Sequence, residues 1–431
     1  MPWSAVLAMC ALLVVTAFVM ATQSVALAAD GAFQLVRALG SEDVYVPLDA
    51  RVLAAWAHQG LVVAAVRAGV TDTQVLTFLL GVGQIVLPAV AWSLAIALSR
   101  IDRLVCATIA MVAALNAGAT WFLSVNEVVQ AAPLTALVAV VLWQPRAWRW
   151  YHALVALAAS SLLLATYETA LLTGAVLAVW ALWRATRSTQ SRERYACLAV
   201  GALSLLSVVV AIAGSQVGEK PTHSQSLLYY LVSLEPWAFY VALGGIAGVT
   251  FGLGPWLAGS ARRISLALGC GSLVVAVIGL EPGVVTGFEA RGGAAVAAFA
   301  LEAFLFWRWA RGGDVGVTAR SDGADARLVV AIPVLFVASM VLVNVQPVRA
   351  WSQSLNAFRA RVDATEETIV VDDALPSDRR AVIWGWTSSS MSLLLRSGPD
   401  AGILVDGNPS LVPFAPRDAR RQLDDKYTWG G

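Results

Sequence analysis

The amino-acid sequence predicts an all-α polytopic membrane protein with about eleven transmembrane helices, followed by a small α/β domain outside the membrane. Of its 431 residues, 58% are hydrophobic and only 13% are charged. Soluble domains carry about 25% charged residues, so roughly half of the usual charge is missing. Apolar runs of about 17–25 residues recur along the chain, and each is long enough to cross about 30 Å of hydrocarbon as a helix.

Clusters of arginine between the apolar runs predict the side of the membrane on which each loop lies. Short basic loops stay in the cytoplasm, so an even number of spans must separate successive clusters. A count of eleven spans satisfies this condition and places the N-terminus inside. The predicted spans are residues 5–28, 72–99, 102–122, 129–144, 150–166, 169–184, 195–214, 237–257, 264–280, 294–309 and 328–346.

The run from Trp150 to Trp183 has two interpretations. One helix of this length would extend about 50 Å and would place its flanking arginine clusters on opposite sides. A hairpin that turns at Tyr167–Glu168, inside the polar break ATYETA, satisfies both the length and the charge pattern. The hairpin is therefore the favoured interpretation.

The first apolar run ends in VALAAD, which is similar to a signal-peptidase site. Because no basic residues precede the run and the run is long, a retained first helix is favoured over a cleaved signal peptide. In both interpretations the segment that begins at Asp30 lies outside.

The predicted domains are a transmembrane domain over residues 1–346 and an extracytoplasmic domain over residues 347–431. Within the first, residues 29–71 form a long outer loop with two amphipathic segments, which lie either in the membrane interface or on neighbouring helices. In the tail, residues 351–364 have a helical pattern, and residues 368–375 and 401–407 read as strands. A unit this small is expected to rest on the membrane domain.

Ionisable residues that the topology places on the outer face are the candidate functional residues. Acids that lie next to apolar sequence on one membrane face predict a shared cavity lined by carboxylates. The alternative for each acid is that it only caps a helix end in contact with water. The acids are Asp30, Glu127 and Glu168, and they are joined by Lys220, His223 and Arg291 in later outer loops.

An acid directly after the first span, a long first outer loop with two interface helices, many spans and an extracytoplasmic C-terminal domain resemble the GT-C superfamily. Its members are membrane glycosyltransferases that use polyprenyl-phosphate-linked sugars. Asp30 occupies the position where members keep an acid in the first outer loop. The sequence reads ADG there, without a paired DE or DxD, so a divalent cation (Mg²⁺ or Mn²⁺) stays open as a cofactor and no metal ligand is assigned.

The resemblance implies a hexosyl- or pentosyltransferase of the cytoplasmic (inner) membrane. It would move a sugar from a polyprenyl-phosphate donor to a hydroxyl of a glycan or lipid acceptor at the outer face. Asp30 would be the general base that takes the proton of the attacking hydroxyl, with Glu127 or Glu168 as alternatives. Cations would stabilise the leaving phosphate, and the implied phosphate-binding residues are Lys220, Arg291 and Arg37. The implied substrate-binding residues are Glu127, Glu168, Tyr167 and His223.

Rival functions come from other classes. A multi-span transporter would be favoured by repeats and broken helices, but no repeat is evident and the spans carry almost no charge to couple ions. An O-antigen ligase or polymerase uses arginine and histidine in a late outer loop, and residues 214–237 can be read that way. A scaffold without chemistry is the third rival.

Two kinds of site are excluded by the pattern. Nucleic acid is not an expected partner, because no basic stripe with interleaved aromatic residues is present. A disulfide framework or a CxxC metal site is excluded because every cysteine lies in an apolar run; these are Cys10, Cys106, Cys197 and Cys270.

Overall fold

A computed structural model describes most of the chain, and the described part is dominated by helices. It covers residues 1–28, 30–46, 51–120, 127–144, 148–164, 170–217, 237–279, 287–311, 323–365, 368–371, 387–398, 403–406, 423 and 426–428.

The helices follow the predicted apolar runs closely. They are α1 (Trp3–Thr22), α2 (Gly31–Ser41), α3 (Val52–Arg67), α4 (Thr73–Gly81), α5 (Leu87–Ser99), α6 (Arg103–Thr120), α7 (Glu127–Trp143), α8 (Trp150–Leu163), α9 (Ala170–Arg187), α10 (Ser191–Val217), α11 (Trp237–Leu253), α12 (Gly259–Gly279), α13 (Gly287–Ala310), α14 (Gly323–Val343), α15 (Val345–Asp363) and α16 (Ser388–Leu395). A π-helical segment, Val82–Val86, joins α4 and α5 into one continuous helix.

Six helical stretches in the described ranges are long and apolar enough to cross a membrane, which confirms the prediction of a helical membrane protein. Four shorter apolar helices coincide with other predicted spans, and a fifth, Val52–Arg67, lies in the predicted first outer loop. The number of spans therefore stays a prediction. The six stretches are Trp3–Thr22, Thr73–Ser99, Ser191–Ala213, Gly259–Gly279, Gly293–Ala310 and Arg327–Asp363.

Helix α6 lies at the centre of the bundle. Every side chain from Val105 to Ala117 is buried, and the helix packs against α5, α11, α13 and α14. Around the outside, large apolar side chains such as Ile278 and Leu335 are exposed. An apolar exterior of this extent is expected where lipid replaces water.

Glycines allow α11 and α12 to pack closely. A Cβ atom added at Gly248 would lie 2.9 Å from the Cα atom of Gly269, and one added at Gly269 would lie 2.6 Å from the nitrogen of Val249. Small residues at such contacts let membrane helices approach backbone to backbone.

Arginine-bearing helix ends meet at one end of the bundle. The amino group of Met1 donates to the carbonyl of Arg100 at 2.8 Å. Arg308, in the last turn of α13, pairs with Asp102 before α6 at 3.2 Å. We call this the arginine-rich end; α2 and the C-terminal segments lie at the opposite end, where the Tyr427 hydroxyl donates to the carbonyl of Leu39 at 3.1 Å.

The described parts of residues 150–183 agree with the hairpin interpretation, whose turn at Tyr167–Glu168 lies outside the described ranges. Trp148, before α8, donates its backbone N–H to the Glu193 carboxylate at 3.1 Å. Arg184, at the end of α9, donates to the same carboxylate at 2.9 Å. Because both ends of the run reach one residue, the run cannot be a single straight helix.

The C-terminal segment contains two short strands within the predicted ranges. Strands β1 (Thr368–Val371) and β2 (Ile403–Asp406) pair in parallel, and α16 packs against β2, α2 and α15. Much of residues 347–431 lies outside the described ranges, so a separate α/β domain stays a prediction.

Candidate functional site

Two adjoining cavities lie at the end of the bundle opposite the arginine-rich end. The first, of about 530 Å³, lies between α1 and the junction of α14 and α15, and we call it the apolar groove. The second, of about 510 Å³, is bounded by the end of α1, the start of α4, α15 and α16, and we call it the polar pocket.

Gln23 and Ser352 line both cavities. The Ser352 hydroxyl donates to the Gln23 side-chain oxygen at 2.7 Å and thereby joins α15 to the end of α1. The groove and the pocket therefore form one continuous surface with an apolar part and a polar part.

The apolar groove faces the surroundings of the bundle. Val15 and Val19 line it from α1, and these residues are 60% and 46% exposed. Val341 and Val348 line the opposite side, and Arg349 is its one arginine among the residues described there. An apolar channel with a cation along it is suited to an extended hydrocarbon chain that ends in an anion.

The polar pocket contains a carboxylate and a guanidinium on well-anchored elements. Asp72 caps α4, because its Oδ1 accepts from the backbone N–H groups of Gln74 at 2.8 Å and Val75 at 3.3 Å. Arg359 donates its Nε to the carbonyl of Leu395 at 3.1 Å, at the C-terminal end of α16. Capping and carbonyl contacts fix where the two charges lie.

The C-terminal residues hold the chain on both sides of Asp72. Thr428 donates its N–H to the carbonyl of Thr71 at 3.0 Å and accepts from the N–H of Thr73 at 3.1 Å. These two bonds form a parallel bridge between Asp72 and Thr428. The position of Asp72 therefore depends on a segment more than 350 residues away in the sequence.

Two neighbouring contacts attach the same segment to α2. Lys426 forms an ion pair with Glu42, and the hydrogen bond to Glu42 raises the pKa of the Lys426 ammonium. Burial raises the pKa of the Tyr427 phenol, whose hydroxyl donates to Leu39.

Asp30, the predicted base, occupies the N-cap position of α2 and is half-buried. It lines neither the apolar groove nor the polar pocket. Arg37 lies seven residues further along α2, so the two residues share a helix face and lie about 10 Å apart along its axis.

Arg37, a predicted phosphate ligand, lies in an aromatic cluster. Its guanidinium carbon is 5.2 Å from the ring centroid of Phe33 and 5.9 Å from that of Tyr45. The backbone of Tyr45 is in turn held by the Gln59 side chain, through bonds of 2.9 and 3.0 Å. Cation–π contacts of this kind hold a guanidinium in place.

The other predicted site residues are not placed by the structure. Glu127 is the first residue of α7 and Arg291 lies near the start of α13, and their side chains lie outside the described part. Four more lie wholly outside the described ranges, namely Tyr167, Glu168, Lys220 and His223. Their roles stay predictions.

Sequence reasoning missed two kinds of residue. Asp72 and Arg359 come together at the polar pocket only through contacts between segments that are distant in the sequence. The one local feature that pointed to either residue is the position of Asp72 directly before an apolar run. The spans were expected to carry almost no charge, and Glu302, a fully buried acid in α13, is an exception that the sequence analysis did not single out. Its signal was the glutamate in the run ALEAF.

A buried amide also marks the π-helical segment. Gln130 of α7 donates to the carbonyl of Gly83 at 2.8 Å, within the turn where the regular hydrogen-bond pattern is interrupted. A Cβ atom at Gly83 would lie 2.3 Å from the carbonyl oxygen of His58, so α3 packs directly on this turn.

Metal chemistry has no support in the described part of the chain. No group of three or more His, Cys, Asp or Glu side chains there is arranged to hold a metal ion. A divalent cation as cofactor therefore stays an open prediction from the sequence.

Comparisons with protein-family models, curated proteins and solved structures find no match to the chain. The proposed function therefore rests on the geometry of the groove and pocket and on the resemblance that the sequence predicts.

Proposed function

We propose that the protein is a membrane glycosyltransferase of GT-C-like architecture. It transfers a hexose or pentose from a polyprenyl-phosphate donor to a hydroxyl of a glycan or lipid acceptor. The observation that supports the proposal is the continuity of the apolar groove with the polar pocket through Gln23 and Ser352. A polyprenyl-phosphate sugar has the same two parts, an apolar chain and an anionic, hydroxyl-rich head.

The proposed orientation places the groove and pocket at the outer face of the cytoplasmic membrane. The arginine-rich end is the cytoplasmic end by the positive-inside rule. With eleven spans the N-terminus is then inside, and the domain over residues 347–431 is outside.

In the proposed complex, the polyprenyl chain lies along Val15, Val19 and Val348. Arg349 and Arg359 flank the junction on α15 and contact the phosphate, because guanidinium groups bind phosphate oxygens through paired hydrogen bonds. Lys220, Arg291 and Arg37 stay as further phosphate ligands predicted from the sequence.

The reaction needs a carboxylate near the acceptor hydroxyl. The acceptor oxygen attacks the anomeric carbon, the bond from that carbon to the phosphate oxygen breaks, and the phosphate leaves with the electron pair. The acceptor proton passes to a carboxylate acting as general base. Asp72 is our first choice because it lines the polar pocket, and Asp30 is the alternative from the sequence.

Sugar transfer in proteoliposomes tests the proposal. Asp72→Asn keeps a capping side chain on α4, since asparagine is an equally good N-cap, but it removes the base. We expect folded protein whose transfer falls by about 100-fold or more, and Asp30→Asn run in parallel decides between the two acids. Full transfer in both variants would overturn the assignment of the base to these residues.

One observation favours a second candidate, a proton-coupled transporter. Glu302 is an acid inside the membrane domain, and such residues often mark proton or ion pathways in transporters. Solute uptake into vesicles without any lipid-linked sugar would favour this candidate over the transferase.

A further inference from the structure

Glu302 lies in the interior of the helix bundle, and its side chain is 0% exposed. Neither carboxyl oxygen accepts a hydrogen bond from any residue in the described part of the chain. The residue lines neither the apolar groove nor the polar pocket, so a role for Glu302 is independent of the proposed glycosyltransferase activity.

Contacts near Glu302 fix its depth. Arg308 follows it by six residues on α13 and pairs with Asp102 at 3.2 Å, so Glu302 lies about 9 Å further into the bundle. On the antiparallel helix α6, Thr108 follows Asp102 by six residues and lies at the same level. The Thr108 hydroxyl is hydrogen-bonded to that of Thr250 at 2.9 Å.

The charged side chains on the helices around Glu302 either contact other partners or lie at helix ends. The Arg184 guanidinium pairs with Glu193, and that of Arg187 stacks on Trp183 at 4.5 Å. Helix α11 contains no charged residue. The charged and titratable residues on the helices packed against α13 are Arg103 and Cys106 on α6, Glu127 on α7, Arg184 and Arg187 on α9, and Tyr240 on α11.

A carboxylate in such a place is strongly disfavoured. Moving an isolated charge from water into an apolar interior is so unfavourable that the group neutralises instead. No cation or hydrogen-bond donor of the described residues compensates the charge at Glu302.

We propose that Glu302 is a proton-binding site inside the membrane domain and is neutral at pH values at which exposed carboxylates are ionised. The folded protein then holds one proton more than the unfolded chain at neutral pH. Its stability therefore falls as the pH rises, because the unfolded state binds fewer protons.

Infrared spectroscopy of the full-length protein in lipid tests this directly. At neutral pH we expect a carbonyl stretch of a neutral carboxylic acid, which shifts in D₂O if the proton exchanges and is missing from Glu302→Gln. Glu42→Gln, which changes an exposed acid, keeps the band. If the wild type and Glu302→Gln do not differ in the region of the carboxylic-acid carbonyl stretch, the proposal is overturned.

Thermal unfolding from about pH 5 to about pH 8 gives a second measurement. We expect the unfolding temperature of the wild type to fall with pH more steeply than that of Glu302→Gln. Parallel slopes for the two proteins would count against a bound proton even if the variant has a different absolute stability.

Discussion

Arg184 and Glu193 form an ion pair at 2.7 Å in which only 8% and 7% of the side chains are exposed. Arg184 also donates to the carbonyls of Leu142 and Gln144, at 2.5 and 2.7 Å. The pair therefore joins the end of α7 and the start of α8 to the α9–α10 turn, and it fixes the arginine-rich end of the bundle.

Replacing Arg184 with methionine should destabilise the protein strongly. Removing one partner of a buried pair leaves the other charge uncompensated, which costs about 3–5 kcal/mol of unfolding free energy. Thermal unfolding in detergent measures the loss. As a matched control, Arg67→Met breaks the exposed pair with Asp43, whose side chains are 56% and 60% exposed, and should cost at most about 1 kcal/mol. Equal, small losses in both variants would contradict the structural role of Arg184.

Alanine at Gly83 should also destabilise the protein, because the new Cβ atom would lie 2.3 Å from the His58 carbonyl oxygen. The turn and α3 must then move apart, at a cost of about 1–3 kcal/mol. Gly40→Ala is the matched control: it has nothing within 4 Å of its new Cβ and lies in helix α2, where alanine is favoured over glycine by up to about 1 kcal/mol. Opposite signs of the two changes in unfolding temperature would support the packing of α3 on the π-helical segment, and a stabilised Gly83→Ala would refute it.

Alkaline pH should release the C-terminal segment from α2. The pKa values of Lys426 and Tyr427 are both raised in the folded protein. For a raised pKa, the stabilising contribution is complete below the unfolded value and is lost as the pH rises through the folded value. The segment should thus become accessible to protease above about pH 10.

The variant Tyr427→Phe, which removes the bond to Leu39, should loosen the segment already at neutral pH, by about 1 kcal/mol. Protease cleavage near the C-terminus, followed over pH in both proteins, measures the effect. If the segment stays protected at alkaline pH in both proteins, these contacts do not anchor it.

Much of the fold can be predicted from the sequence because lipid imposes simple rules on it. The span predicted at residues 72–99 is a helix from Thr73 to Ser99, and its start is set by a local signal, the Asp72 cap. The strands β1 and β2 likewise lie within the predicted ranges. Hydropathy and capping depend on residues that are close together in the sequence, so helix positions and helix starts can be read from short segments.

The candidate site depends instead on contacts between distant segments. Nothing near Ser352 in the sequence indicates that its hydroxyl is hydrogen-bonded to Gln23. Likewise, nothing near Asp72 indicates that it forms a parallel bridge with Thr428. The sequence predicts Asp30, the first acid after the first apolar run, as the base, whereas the polar pocket is lined by Asp72, the acid at the start of the predicted span at residues 72–99. Hydropathy does not single out Glu302, because one acid barely changes the mean hydropathy of a span.

The most direct test of the central claim is binding of a polyprenyl monophosphate, compared with the neutral polyprenol of equal length, to the purified protein in lipid nanodiscs. We predict that the phosphate form binds more tightly in the wild type. We also predict that Arg359→Gln and Arg349→Gln each lose about 10-fold or more of that preference, as expected for charge-assisted bonds. Arg194→Gln, an exposed arginine at the opposite end, should retain the preference. Equal binding of phosphate and alcohol by the wild type, or an unchanged preference in both α15 variants, would contradict a donor site in the groove and pocket.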